Sequence, residues 1–500
     1  MKTAFPRVLS LLTALLLAAL SLLFLPSCGL ATEIENNSDS NFTQQTEPEP
    51  PTSEPTVSVS DTQDSGNPES PTIPDPFEGV SFGGAEVLLT IPLIAKNEFS
   101  VESSGTALSE TVILRNRSVE KRIQIQLIEN IPAGVQSRND YGEYLQQAVL
   151  SGSELGIAVI PSELSRLAVS GLFRNLAGTP VNLQNPWFDA SFLSAEDIGG
   201  YIPFAVGDMT PSAWENAPAV LVREDLASGL LNLPNLYQVV RNQGWTLEFL
   251  QGLVALLNAG TELDALAVSK ISQASTLFGA SIRLIQRQQD GTPAFTMLDE
   301  RTVSACNALS ELFHVEQEKP VLQEPTDAQQ GFCAGRTVLL IERLGSAQEL
   351  AKADPTLKLV YLPLPKSDSR QTGYLTTPTN YSMLSIPISS AQSPLLVATA
   401  IEALGYDSTL TLPLGFLQTY LTQYGTGTSE AAEMLAYLLT GITFAPEIIW
   451  SAPLDYPWYR MVANLSEPGA QVLPSYMSQI ALYTEHLHQL MEQLSRYRNT

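Results

Sequence analysis

Hydrophobic and polar positions divide the chain into three stretches of different period. Val8–Leu25 is a nearly unbroken apolar run, residues 31–80 carry little that could enter a core, and from Ala85 short apolar runs alternate with amphipathic ones. Glu86–Ile94 (EVLLTIPLI), Leu155–Ile160 (LGIAVI) and Thr337–Ile341 (TVLLI) have the length and β-branched content of buried strands. Gln124–Glu129, Tyr201–Gly207, Ala219–Arg223 and Leu359–Leu364 read as further extended segments. Between them, Ala107–Ile123 has helical spacing, with Ser109 as its cap and a charged face from Arg115 to Arg122. Tyr141–Leu150, Ser162–Phe173, Asn235–Leu257 and Thr302–Leu312 are predicted helices, Ser275–Arg287 carries a hydrophobic pattern, and most of the chain after Ser393 is helical, ending in Tyr476–Arg498. Strands alternating with helices predict right-handed crossovers and mainly parallel sheets, flanked by helices in two α/β lobes. Ligands of such sheets lie beyond the carboxyl ends of the strands, here near Ala95–Asn97 and Pro161–Glu163. No repeat of 20–50 residues is visible, which argues against a solenoid or propeller.

The first eighty residues bear on the compartment. Lys2 and Arg7 precede the apolar run, which is long for a signal segment and about long enough to span a bilayer, so a retained anchor helix is one reading. Its exit, Leu25-Pro26-Ser27-Cys28, resembles a bacterial lipobox and favours a second reading. In that reading residues 1–27 are a lipoprotein signal peptide, and Cys28 carries diacylglycerol on its thiol after cleavage behind Ser27. Two or more acyl chains hold a protein stably where one does not. Residues 28–80 then form a tether; positions 31–80 hold eleven Asp or Glu, eight Pro and no Lys or Arg. Such a stretch buries too little to offset its ordering entropy and stays extended. Both readings place the remainder outside the cytoplasmic membrane, on its extracellular face.

Composition narrows the chemistry. The chain of 500 residues has 52 Asp and Glu against 26 Lys and Arg, a formal net charge of −26, which argues against a grip on nucleic acid. The tether accounts for −11 of this and the leader for +2, so the body carries a moderate −17. Three cysteines with no C-x-x-C pair and three histidines give no disulfide scaffold and little basis for a metal centre; no metal or cofactor is expected. Cys306 and Cys333 leave one disulfide open, while His486 and His488, two apart on a helix, face different sides. No G-x-S-x-G elbow, P-loop, H-E-x-x-H or dinucleotide glycine fingerprint is present.

Six segments, in order along residues 81–500, resemble bacterial extracellular solute-binding proteins of family 1, the maltose-binding-like type, and most of all its clostridial lipoprotein branch. They are Glu110–Arg122 (ETVILRNRSVEKR), Pro186–Asp189 (PWFD), Ala205–Met209 (AVGDM), Leu236–Leu247 (LYQVVRNQGWTL), Phe332–Leu339 (FCAGRTVL) and Leu362–Lys366 (LPLPK). The sequence departs from the family pattern at Glu154-Leu155-Gly156, in a shortened Ala259–Ile271, and in a single Tyr374 where relatives often show two aromatics. The resemblance implies a type II periplasmic-binding-protein-like fold with a hinge: lobe 1 from 81–217 and 363–405, lobe 2 from 218–362 and 406–500. It also implies capture of a solute, most often a sugar or oligosaccharide, for delivery to an ABC permease, without catalysis.

A sugar site needs flat aromatic faces and planar polar groups. Trp214 and Asp208 lie beside the expected crossover, Glu342 and Arg343 follow a buried strand, and Tyr374 follows the LPLPK segment. Ser162 and Glu163 end the third strand, where capping also explains them. These seven are the candidate ligand contacts. Each has a structural alternative: a packing Trp, a turn Asp, or a mutual ion pair of Glu342 with Arg343. Trp187 and Trp245 read as structural, whereas Trp450 and Trp458, with Tyr456 and Tyr459 in DYPWY, form a cluster that suits either a cleft lid or interhelix packing. Two competing functions stand beside solute capture: a surface sensor or adhesin with a degenerate cleft, and a lipid-anchored glycosidase. The body's 41 carboxylates supply chance pairs, so sequence alone cannot define a glycosidase pair.

Overall fold

A computed structural model describes residues 74–500, apart from 101, 103, 104, 230–233 and 470. The expected signal peptide, the lipidation site Cys28 and most of the tether lie outside the described residues. Among those described, no helix is long and apolar enough to cross a membrane.

Two sheets organise the body. The first has the order β11-β3-β1-β2, built from β1 (Ala85–Thr90), β2 (Ile125–Asn130), β3 (Ile157–Pro161) and β11 (Ser382–Ser385). β1 runs parallel to both β2 and β3, and β11 is antiparallel to β3. The second has the order β10-β4-β9-β5-β8, with β4 (Pro218–Arg223), β5 (Asp264–Ser269), β8 (Leu322–Gln323), β9 (Thr337–Arg343) and β10 (Leu359–Leu362). Here β5 is parallel to β8 and β9, while β4 is antiparallel to β9 and β10. A hairpin of β6 (Ile285–Arg287) and β7 (Pro293–Phe295) stands apart. The mainly parallel expectation therefore holds for the βαβ parts alone. β4 and β11 run against their neighbours because each begins where the chain has just crossed from the other sheet.

Local chemistry sets the helices. α1 (Ala107–Ile123) starts at a capping box in which the Thr106 side chain accepts from the Ser109 backbone, so Ser109 is the third helical residue rather than the cap. α2 (Arg138–Leu150) begins with the same device, Ser137 with Asp140. The predicted single helix Asn235–Leu257 is two, Leu236–Arg241 and α3 (Leu247–Gly260); the break holds Gln243 at φ 59°, and Thr246 caps the second. α4 (Lys270–Gly279) and β6 divide the hydrophobic pattern of Ser275–Arg287, and α5 (Glu300–Phe313) follows. Ser162–Ser170 is 3₁₀ rather than α. Tyr201–Gly207 forms only isolated bridges, Ala205 to Leu384 among them, and Pro203 within it has no N–H to donate to a ladder.

Each sheet has its own core. Tyr141, Ile160, Phe192, Phe204 and Trp450 belong to the first, and Val220, Trp245, Leu266, Phe278 and Trp458 to the second. The boundaries differ from expectation in three places. The tether was expected to reach residue 80, yet Phe77 is buried, edge-on to Tyr406 at 5.8 Å. The expected boundary after residue 405 falls inside α6 (Pro394–Leu417), which packs along α1 and runs on through a π-helical turn, Gln418–Gln423, to the second sheet, where Leu359 N donates to Tyr424 O at 3.1 Å. The C-terminal helix α7 (Val472–Ser495) serves both lobes. Tyr476 and Tyr483 lie in the second core, and Leu487, Leu490 and Leu494 in the first. At 1.5 Å per residue its 24 residues extend about 36 Å, enough to reach both.

Candidate functional site

The chain crosses between the sheets just before β4, after β10 and along the Gln418–Gln423 turn, and the carboxyl ends of β1, β3, β5 and β9 face this junction. Glu98, beyond β1, ties it together. Its buried carboxylate accepts from the Ser382 hydroxyl at the start of β11 and from Ser212 N, just before β4, at 3.2 Å. Burial raises its pKa, opposed by those hydrogen bonds and by Arg115.

At the end of β3 the structure joins Ser162 and Glu163 to residues the sequence did not single out. Ser162 Oγ donates to Thr379 O at 3.3 Å and accepts from Tyr381 N at 3.2 Å, which fastens the strand to the returning crossover. Glu163 pairs with Arg138, from the first turn of α2, at 3.0 Å and stays partly exposed. Two tyrosines belong to the same neighbourhood. Tyr456 and Tyr459, at the start of the helix Pro457–Leu465, are 49% and 39% exposed, with rings edge-on at 6.4 Å. Tyr459 is accessible, yet enough protein surrounds its hydroxyl that burial first, then Glu163 and Tyr456, push it up to about 12. Asp455 and Tyr456 both adopt left-handed backbone, at φ 63° and 57°, a conformation that costs energy in non-glycine residues. Arg460 holds the Asp455 carboxylate with two hydrogen bonds of 2.9 Å. Tyr381, buried between Phe192 and Phe444, lies close enough to Tyr459 and Glu163 for both to raise its pKa after burial has done so.

The other sequence candidates lie elsewhere. Asp208 accepts from Thr409 on α6 at 2.7 Å, and burial lifts it to about 6. Trp214 meets Phe416 edge-on at 5.4 Å, again on α6. The structure thus sets both against the shared helix, Trp214 from the short helix Ser212–Glu215 and Asp208 from the turn before it. Glu342 and Arg343 do end β9, but they do not pair with each other through their side chains. Strand alternation turns Glu342 inward, where it is fully buried and accepts from Ser272 Oγ at 3.0 Å and from Arg343 N at 2.8 Å. Arg343 turns outward to Glu349 at 3.3 Å and acts on nearby Glu215. Tyr374 is a core residue: it is buried in the second core, its hydroxyl donates to Val240 O at 2.9 Å, and the Lys366 ammonium lies 5.5 Å above its ring. That ring has no free face for a ligand.

The remaining aromatic readings resolve cleanly. Trp187 is buried and donates to Glu402 at 2.8 Å, and Trp245 donates to Pro363 O at 2.8 Å. Trp450 and Trp458 pack in the two cores, so DYPWY divides into a buried Trp and two exposed tyrosines. Cys306 and Cys333 are free thiols. Among the described residues no three of His, Cys, Asp and Glu converge to hold a metal.

No family model matches the chain, and no curated protein is similar to it. Solved structures are. A cyclo/maltodextrin-binding protein complexed with maltotetraose superposes with a TM-score of 0.51 at 12% identity, over 80% of this chain and 97% of its own. An ABC-transporter solute-binding protein from Thermotoga lettingae bound with α-D-tagatose gives 0.49 at 13%, over 82% and 100%. The Thermus thermophilus maltotriose-binding protein bound with maltotriose gives 0.45 at 11%, over 82% and 99%. At such identities the likeness is one of fold, and the first of the three carries it. The chain has the two-lobe α/β fold of solute-binding proteins.

Proposed function

We propose that this chain is the solute-capturing component of an ABC import system, anchored through acylated Cys28 on the extracellular face of the cell membrane, and that it takes a sugar or oligosaccharide between its lobes for a membrane permease. The observation that carries the reading is the exposed Tyr456–Tyr459 pair near the end of β3, with Glu163, itself paired with Arg138, close enough to Tyr459 to raise its pKa. Aromatic faces suit the C–H surface of a sugar ring, and a carboxylate and a guanidinium suit its hydroxyls. The bound protein in the likeness above holds maltotetraose, a ligand of that chemistry. Binding would favour the form in which both lobes touch the solute, and the permease would read that form. No turnover is involved.

Titration calorimetry of the full-length chain in detergent, against a panel of malto-oligosaccharides and monosaccharides, tests the reading. We expect saturable binding without product, weakened about two- to twelvefold in Tyr459→Ala, in line with roughly 0.5–1.5 kcal/mol for an aromatic contact. Binding untouched in Tyr459→Ala would move the site elsewhere, and release of a shortened sugar would make the chain a hydrolase. Metabolic labelling with palmitate, lost in Cys28→Ala, tests the anchor.

A further inference from the structure

The three crossings between the lobes are tied to one another through two carboxylates. Glu98 accepts from Ser212 N, ahead of β4, and from the Ser382 hydroxyl, where the second crossing ends. Glu215 lies three residues after Ser212, on the first crossing, and accepts from Tyr420 of the third at 2.9 Å. Its backbone is fixed from the second lobe, because Gly345 N donates to Glu215 O at 2.7 Å. Parting of the first and third crossings is therefore felt first at the Glu215–Tyr420 bond.

The setting makes a charge on Glu215 costly. Tyr420 is buried, with its ring 4.4 Å from Phe416, 5.9 Å from Tyr424 and 6.4 Å from Tyr361, so aromatic rings stand where water would otherwise solvate the carboxylate. Glu98 and Glu349, the latter from the helix Ser346–Ala353, act on it as like charges and Arg343 as an opposite one. Arg343 is engaged by Glu349 at 3.3 Å, so its charge is shared. Ionisation strengthens the Tyr420 hydrogen bond, but burial and the two carboxylates outweigh it, and the group is pushed up to about 7. Glu215 is nonetheless partly exposed, so protons reach it without unfolding. In an arrangement of the lobes that opens it to water, its pKa returns toward the usual 4.5. By linkage, ionisation favours that more open arrangement and protonation the one described.

We propose that the hinge is proton-sensitive: neutral Glu215 holds the first and third crossings together through Tyr420, and ionised Glu215, facing Glu98 and Glu349, loosens them and widens the angle between the lobes. The switch acts without solute and stands independently of the sugar reading.

Electron–electron double resonance on the full-length chain in detergent tests the proposal, with nitroxides carried on unnatural amino acids in place of Leu150 and Leu256. These exposed leucines stand on α2 of the first lobe and α3 of the second. Between about pH 5.5 and about pH 8.5 the ionised fraction of a group titrating at about 7 rises from roughly 3% to roughly 97%. Over that interval a second distance population should grow at least about threefold in the wild type and stay at its low-pH level in Glu215→Gln. Tyr420→Phe removes a hydrogen bond that lowers the pKa of Glu215, so it should move the midpoint to higher pH, an effect a purely structural role does not produce. A distance distribution independent of pH in the wild type, the same pH response in Glu215→Gln, or an unmoved midpoint in Tyr420→Phe would overturn the proposal.

Discussion

Glu215 stands where the chain leaves the first lobe, and its carboxylate accepts the Tyr420 hydroxyl at 2.9 Å. Burial pushes its pKa up to about 7; the Tyr420 hydrogen bond and Arg343 pull the other way, and Glu98 and Glu349 add to the rise. A raised carboxyl holds its proton more tightly in the folded state. Its contribution to stability is full below about pH 4.5 and is lost as pH rises through about 7. Glu215→Gln cannot titrate, so the wild-type advantage over the variant should shrink by up to roughly 3 kcal/mol between pH 4.5 and pH 8. Urea unfolding at the two pH values measures this, and parallel behaviour would mean the group does not titrate there. No reading of the sequence reached Glu215, because desolvation depends on what lies around a residue in space. The same limit explains Tyr374, where an aromatic in a loop looked like a stacking residue and proved to have its hydroxyl on Val240 and its ring in a core.

Helices and hairpins carry the coupling between lobes. α6 comes so close to Trp187 that a Cβ on Gly405 would lie 2.1 Å from the indole Cδ1, while Glu402 one turn earlier accepts from that indole. Gly405→Ala should therefore cost about 1–3 kcal/mol through overpacking, read by thermal or urea denaturation. The β6–β7 hairpin reaches from the second lobe to the first: Ile285 enters the first core, and Arg287 donates to Ser194 O at 2.6 Å and Asp197 O at 2.5 Å, the carbonyl end of the helix Ala190–Glu196. A guanidinium there also suits the helix dipole. Arg287→Ala should loosen this clasp, costing about 1 kcal/mol and enlarging the radius of gyration in solution scattering. An unchanged radius would show that α7 and the core contacts hold the lobes without it. Hydrophobic period located most of these elements but not their starts: Ser137 and Thr246 cap α2 and α3, where the sequence pattern began one helix at Tyr141 and ran another unbroken from Asn235. The break at Gln243 and the 3₁₀ turn after Ser162 were hidden, since apolar spacing continues through both.

Across the whole molecule, the proposed solute capture would set solute contacts against the bridges that already join the lobes. If a sugar occupies the junction, a concentration a hundred times its Kd should stabilise the fold by about 2.7 kcal/mol, visible as a rise in Tm of the full-length chain. A sugar that binds by calorimetry without raising Tm would have to bind the unfolded chain equally well. The alternation of apolar runs and helical spacings determined that there are two α/β layers and where most strands lie, because burial of one face per element is a local property of the sequence. Net charge and cysteine count likewise set the classes of chemistry to which the chain is poorly suited. Only the tertiary structure decided that α6 and α7 belong to both lobes, that Trp214 and Asp208 face α6, and that Tyr459 comes near Glu163, itself paired with Arg138. Those outcomes depend on which faces meet across hundreds of residues, and a periodic pattern records that a face is buried without recording against what.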